Sequence, residues 1–335
     1  MRWIGIFLLA VLLGAGAVVW SIHERLNEPV GSEPVIIVVA PGTQLRALAV
    51  QLEKRIPGLE SDLFYAWGRW KDLHLHLRAG EFQVRLPDTI PGLVEQFFRV
   101  RPVQHKLTLI EGWTWLEVRQ VLKDSEALKW TDLSSDPEKA ARQLQLRYPN
   151  AEGQFLPETY YFIRGTTDRE LLKRAHKAMM QELETAWADR EPDLPLKSPY
   201  DALILASIVE KETGWAPERP RIAGVFISRL RRGMRLQTDP TVIYGLGQAF
   251  DGNLTRRHLA DAGNPYNTYR RAGLPPTPIA LPGREAIQAV MHPVEDGSLY
   301  FVSTGEGRHT FSSTLRDHNR AVRTYIRKQR EKTSR

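Results

Sequence analysis

The sequence predicts an α+β protein: an N-terminal transmembrane helix, then a small strand–helix–helix–strand module, then a larger, mostly helical α+β domain. Three observations carry that expectation. An uncharged apolar run fills the start of the chain; beyond it, continuous apolar runs of strand length alternate with i, i+3, i+4, i+7 patterns; and Pro-Gly pairs punctuate them. The expected boundaries are residues 1–26 for the anchor and a short cytoplasmic end, 27–100 for the small module with its linker, and 101–330 for the large domain. A chain of 335 residues has the length for about two ordinary domains with a well-buried core.

From Trp3 to Ile22 the only polar residue is Ser21. Twenty helical residues reach about 30 Å, the thickness of a bilayer's hydrocarbon. Ala15-Gly16-Ala17 resembles a signal-peptide cleavage site, but Val18-Val19-Trp20 continues the run past it, so an uncleaved anchor is expected over a cleaved signal. A single anchor ahead of a large domain places that domain outside the cytoplasm, which argues against nucleic acid as a partner.

Asn27 to Glu33 reads as a linker, and Val35 to Val39 as a buried strand ending in the Pro41-Gly42 turn. Thr43 is the expected cap of a helix carrying Leu45, Leu48, Ala49 and Leu52; Ser61 is the expected cap of a second carrying Leu63, Phe64, Trp67 and Trp70. A strand-like run follows Leu73, where His74 and His76 alternate as core or surface residues rather than metal ligands. This unit has the size and order of a LysM-type module, and equally of an ordinary small α+β domain. Thr89–Phe98 reads as a helix, Val103–Ile110 as a strand, Thr114–Leu122 and Thr167–Trp187 as helices, and 130–147 as polar and helical. The basic tail after Tyr325 is expected to fray.

Chemistry concentrates after Ser198. Ser198-Pro199-Tyr200-Asp201 is a helix start, and Ala202 to Val209 is apolar around its circumference, the mark of a helix buried on all sides. Glu210 and Glu212 then fall at its inner end. A buried carboxyl must be paired or protonated, and its pKa rises. Glu210 shares a face with Leu203, Ala206 and Ser207, where small residues let a ligand or backbone approach; Glu212 lies about 200° away. Structural ion pairs with Arg229 or Arg232 are the competing reading. Gln237, Thr238, Asp239 and Tyr244 supply donors and acceptors suited to a sugar, and Tyr266 and Tyr269 flank Asn267 with stacking faces beside an amide.

Composition narrows the classes. With 42% hydrophobic and 25% charged residues the chain is neither disordered nor fibrous. Forty-six Lys and Arg against 39 Asp and Glu leave +7, which suits an anionic partner: nucleic acid, acidic lipid or an acidic wall polymer. The absence of cysteine excludes disulfides, Cys-ligated metals and thiol nucleophiles. H-E-x-x-H, G-x-S-x-G, P-loop, G-x-G-x-x-G and S-x-x-K patterns are all missing.

Leu205 to Thr213, Gly233 to Gly245, Tyr266-Asn267-Thr268-Tyr269 and Gly273-Leu274-Pro275-Pro276 together resemble the YceG-like endolytic murein transglycosylases. Glu111 to Thr114, Glu152 to Tyr160 and Leu299 to Val302 extend the resemblance over about Val35 to Tyr325. It departs from the family pattern at Ser228, where Asn is frequent, and at Glu158, where Asp is. The resemblance implies a membrane-anchored enzyme with a LysM-like module and a YceG-like catalytic domain, placed in the periplasm at the bacterial inner membrane and held there by Trp3–Ile22. It implies cleavage of the β-1,4 bond between N-acetylmuramic acid and N-acetylglucosamine in peptidoglycan strands, giving 1,6-anhydro ends and limiting nascent strand length. The implied acid is Glu210; Gln237, Thr238, Asp239, Tyr244, Asn267 and Tyr269 are candidate sugar contacts, with Glu212 and Glu158 in support. No cofactor or metal is implied, and peptidoglycan synthases are the implied protein partners. A two-carboxylate hydrolase using Asp239, and a non-catalytic wall-binding scaffold, are the alternatives.

Overall fold

The structure, a computed structural model, describes residues 2–305 and 307–333, so Met1 of the expected anchor segment lies outside it. About half of the chain is helical, with short strands between, as an α+β chain requires. It divides into two units. The first comprises Met1–Lys106, Ala127–Lys129 and Tyr161–Thr166; the second comprises Leu107–Glu126, Trp130–Tyr160 and Thr167–Arg335.

Helix α1 (Arg2–Asn27) contains one stretch, Trp3–Asn27, long and apolar enough to cross a membrane, and none of its hydrophobic window is buried inside the protein. Strand β1 (Val35–Val39) alternates, burying Ile37 and Val39 and exposing Ile36 and Val38. The Thr43 hydroxyl donates to the Ala40 carbonyl (2.7 Å) and closes the turn, so it does not cap the next helix. Gln44 stands at that position, without a side-chain cap, before α2 (Leu45–Glu53). Leu45, Leu48, Ala49 and Leu52 form the buried face of α2, as the spacing predicts.

Helix α3 (Ser61–Trp70) is entered from Glu60, and Ser61 uses its backbone N–H on the Glu53 carboxylate. Beyond it Asp72 takes a left-handed conformation (φ 58°) and turns the chain into the single-turn α4 (Leu73–His76), where the alternation of Leu and His predicts a strand. Only Leu73 of that turn is buried. Strand β2 (Gly80–Val84) runs antiparallel to β1, with Val35 opposite Val84 and Ile37 opposite Phe82. Helix α5 (Ile90–Arg99) starts at Thr89, whose hydroxyl accepts from the Gly92 N–H. Phe97 on α5 meets Phe64 and Phe82 at 6.2 and 5.3 Å between ring centres. Each such fully buried ring contributes about 1.5–3 kcal/mol relative to exposure.

Strand β3 (Gln104–Thr108) leads to α6 (Trp115–Lys123), opened by a reciprocal Thr114–Glu117 capping box. In the polar 130–147 stretch only α7 (Pro137–Leu144) is helical: Asp136 caps it and Gln145, at φ 57°, ends it. Strand β4 (Thr159–Ile163) pairs with β3. A second capping box, Thr167 with Glu170, starts α8 (Asp168–Ala188).

Helix α9 (Pro199–Glu212) is the centre of the second unit. Ser198 accepts from the Asp201 N–H (3.3 Å), and every residue from Ala202 to Val209 is buried. It is surrounded by α8, α10 (Arg219–Arg231), α11 (Asp239–Leu246) and, after the short α12 (Arg256–Ala260), by α13 (Arg284–Met291). Helix α10 has Arg219 at its head. A hairpin of β5 (Tyr300–Ser303) and β6 (His309–Ser312) precedes α14 (Leu315–Thr333), which continues as helix where fraying is expected.

Candidate active site

The inner end of α9 is an ionic site. The Glu210 side chain is only 6% exposed, and its two carboxyl oxygens have separate partners. Oε1 accepts from Arg219 Nη2 at 2.9 Å, and Oε2 accepts from the backbone N–H of Gly283 at 2.9 Å. Arg219 is itself buried and reaches two further acids: Nη1 donates to Glu285 at 2.7 Å, and Nη2 lies 3.5 Å from Glu111. The ion-pair partner of Glu210 is therefore Arg219, not Arg229 or Arg232. Arg229 is buried too, but donates to the carbonyls of Leu299, Arg235 and Leu236.

Local chain geometry explains why these groups meet. Arg219 and Glu285 stand in the first turns of α10 and α13, and Gly283 is the residue that opens α13. The loop holding Glu111 is stitched beside it, because Gly112 N–H donates to the Leu281 carbonyl (2.8 Å) and Leu281 N–H to the Trp113 carbonyl (2.7 Å). Lys211 Nζ donates to the Gly112 carbonyl (3.1 Å), tying the same loop to α9. A Cβ at position 283 would meet the Glu111 carboxylate, and that half-exposed side chain would have to move aside. Ser207 draws backbone, not ligand, to the small-residue face: its hydroxyl accepts from the Ile279 N–H at 3.0 Å.

Burial raises the pKa of Glu210, and the nearby Glu111 and Glu285 charges add to it; the Gly283 hydrogen bond and Arg219 oppose it. The result is an acid that holds its proton more tightly than a free carboxyl does. Glu111 and Glu285 are 45% and 66% exposed, so one guanidinium links the buried acid to carboxylates that solvent reaches.

The other candidates group elsewhere. Glu212 is half-buried and accepts from the Thr238 hydroxyl, and desolvation lifts its pKa to about 7. Asp239 is exposed and accepts from the Tyr269 hydroxyl at 2.6 Å. Gln237 is exposed, in a left-handed conformation (φ 51°), and donates its backbone N–H to the Thr268 carbonyl. Asn267 is fully buried, and its amide donates to the carbonyls of His258, Leu259 and Asp261. Tyr244 donates to Glu152 at 2.9 Å. Glu158 is exposed and pairs with Arg284 at 3.3 Å, next to Gly283 in the chain. Among the described residues, none of the six candidate sugar contacts is hydrogen-bonded to Glu210.

Sequence reasoning missed Arg219, Gly283, Glu285 and Glu152, and assigned Glu111 no role. Glu111 and Glu152 did lie in stretches singled out above, whereas Arg219 carried no signal separating it from the other arginines of its helix. Glu152 is 2% exposed and accepts from Tyr244 and from the Trp115 N–H; burial lifts its pKa to about 8 despite both bonds. The folded protein then binds this proton more tightly than the unfolded chain, so the linked stability falls as pH rises from the ordinary carboxyl range through about 8. Glu152→Gln keeps the side-chain shape without the charge, and is expected to flatten the decline of Tm between about pH 5 and pH 8 seen in calorimetry.

Residues 37–324 match the model of the YceG-like family. The endolytic murein transglycosylase of Bacillus subtilis (strain 168) is 28% identical over 330 residues, covering 92% of this chain and 90% of that protein. The endolytic murein transglycosylase of Streptococcus pneumoniae serotype 2 is 25% identical over 325 residues, covering 87% of this chain and 58% of that longer protein. A crystal structure of a YceG-like protein from Listeria monocytogenes superposes with a TM-score of 0.54 at 27% identity, over 87% of this chain and 99% of that one.

Proposed function

The chain belongs to the YceG-like family, and from that premise we propose that it is an endolytic lytic transglycosylase cutting the N-acetylmuramic acid–N-acetylglucosamine β-1,4 bond of peptidoglycan. The observation that carries this reading is the Glu210 carboxyl: nearly buried, raised in pKa, and held by one guanidinium and one backbone N–H. Such a group can give a proton to the glycosidic oxygen as the C1–O bond breaks and an oxocarbenium-like centre develops. Arg219 and the Gly283 N–H then stabilise the carboxylate left behind. That carboxylate takes the proton of the muramyl 6-hydroxyl as the 6-oxygen bonds to C1, which restores the acid. The bond is exchanged within the substrate with no water consumed, and an intramolecular hydroxyl gains from high effective molarity.

Gln237, Thr238, Asp239, Tyr244, Asn267 and Tyr269 fit this reading as the walls and supports of the sugar-binding side, with Glu212 held by Thr238 and Glu158 by Arg284 in supporting positions. Residues 101–330 then form the catalytic domain and residues 27–100 a LysM-like module. The antiparallel β1–β2 pair with helices between, and a cavity of about 480 Å³ lined by Thr43, Gln44, Arg46, Tyr65 and His74, support glycan contact by that module. α1 supports a single-pass anchor in the inner membrane with the enzyme in the periplasm, where peptidoglycan synthases supply the strands it shortens.

Digesting purified sacculi with the full chain and weighing the fragments tests the reaction class. Anhydro-terminated muropeptides are expected. Fragments heavier by one water would mean hydrolysis with a second carboxylate, and intact sacculi would mean a binding scaffold.

A further inference from the structure

We propose that Arg219 is the positioning residue of the Glu210 carboxyl, and that Glu285, with Glu111, sets how much of its charge Glu210 receives. The inference rests on the reading of Glu210 as the acid. Its basis is a mismatch in number: one buried guanidinium faces three carboxyls.

The division of its nitrogens is informative. Arginine commonly grips a carboxylate with two parallel N–H bonds, but here Nη2 serves Glu210 at 2.9 Å while Nη1 is committed to Glu285 at 2.7 Å. Nη2 also lies 3.5 Å from Glu111, and Nε is buried with no hydrogen-bond partner among the described residues. Glu210 therefore has a single-point contact that fixes one oxygen, with the Gly283 N–H fixing the other. A full bidentate grip would favour the carboxylate strongly and weaken Glu210 as a proton donor; no grip would leave the side chain free to turn and the conjugate base without a counter-charge.

The charged groups around Glu210 are Arg219 from α10, Glu285 from α13 and Glu111 from the loop before α6. Lys211, next to it in α9, is turned to the Gly112 carbonyl, and Arg284 is engaged by Glu158 and Glu182. Glu285 and Glu111 are the solvent-exposed acids of the set, and Glu210 is the buried one. Lysine cannot replace this arrangement, because one ammonium cannot hold Glu210 and Glu285 from separate nitrogens of a planar fork.

The test is the pH dependence of kcat and kcat/KM for sacculus cleavage by the full chain in detergent. A general acid must be protonated, so its pKa sets the limb on which activity falls as pH rises. Arg219→Gln is expected to lower kcat by roughly tenfold to a hundredfold with KM within about twofold, and to move that limb to higher pH. Arg219→Lys is expected to return the limb towards its wild-type position while recovering only part of kcat. Glu285→Gln, at a largely exposed side chain, is expected to fold normally and to move the limb the opposite way, to lower pH, by removing a negative neighbour. If Arg219→Gln does not fold, the direction of the Glu285→Gln shift decides alone. Active variants with an unmoved limb would overturn the inference and leave the acid assignment standing, provided Glu210→Gln is inactive. Wild-type cleavage by Glu210→Gln would overturn both.

Discussion

Glu210→Gln is expected to reduce release of anhydromuropeptides by about 10²–10⁴-fold, the contribution of a positioned general acid. The amide keeps the shape of the side chain and can still accept from Arg219 or Gly283, so the fold is retained and the loss falls on kcat. What is lost is an ionisable proton beside the bond to be cut. Glu212→Gln is the informative comparison. Glu212 lies two residues on, is held by Thr238, and titrates near 7 from burial. Its replacement is expected to lower cleavage by less than about tenfold. Fragment quantitation by mass spectrometry for both variants checks the pair; a larger loss at position 212 than at 210 would move the acid to Glu212.

The second large effect is structural. Asn267→Ala is expected to lower stability by about 3–5 kcal/mol, from the loss of a buried amide and of the partner of several half-buried backbone groups at once. The Asn267 amide satisfies the carbonyls of His258, Leu259 and Asp261, and its oxygen accepts from the Tyr269 N–H at 3.0 Å. The side chain has no exposed surface, and three of these groups, the Leu259 and Asp261 carbonyls and the Tyr269 N–H, lose their partner, while the His258 carbonyl keeps the Asp261 N–H. A fall in Tm of about 10 °C by calorimetry is the expected result for a unit of this size. If Asn267 instead acts by touching sugar, the variant would keep its Tm and raise KM.

These two residues show what could be read from the chain alone. Glu210 was legible because it breaks a rule locally: a carboxylate ends a run that is apolar on every side, and the Ser198–Asp201 start fixes that run as a helix. Asn267 was legible as unusual, but its position between two tyrosines says nothing of which way the amide turns; the carbonyls that claim it come from α12 and from Asp261 just after it. Arg219 is nine residues from Glu210 yet lies on a different helix, while Gly283 is 73 residues away. Those meetings depend on how α9, α10 and α13 pack, which no periodicity encodes. The single turn at Leu73–His76 shows the opposite limit, where alternation reads as a strand until one left-handed Asp72 intervenes.

The backbone stitch between Gly112–Trp113 and Leu281 also bears on biogenesis. Glu210 leaves the ribosome well before Gly283 and Glu285 do, and until they arrive its carboxyl has neither its second hydrogen bond nor the neighbour that shares its guanidinium. On the reading proposed above, a chain that ends before Gly283 lacks the groups that hold the acid in place. The site is complete only once the segment through Glu285 has been made and folded onto α9, so the order of synthesis itself delays its assembly.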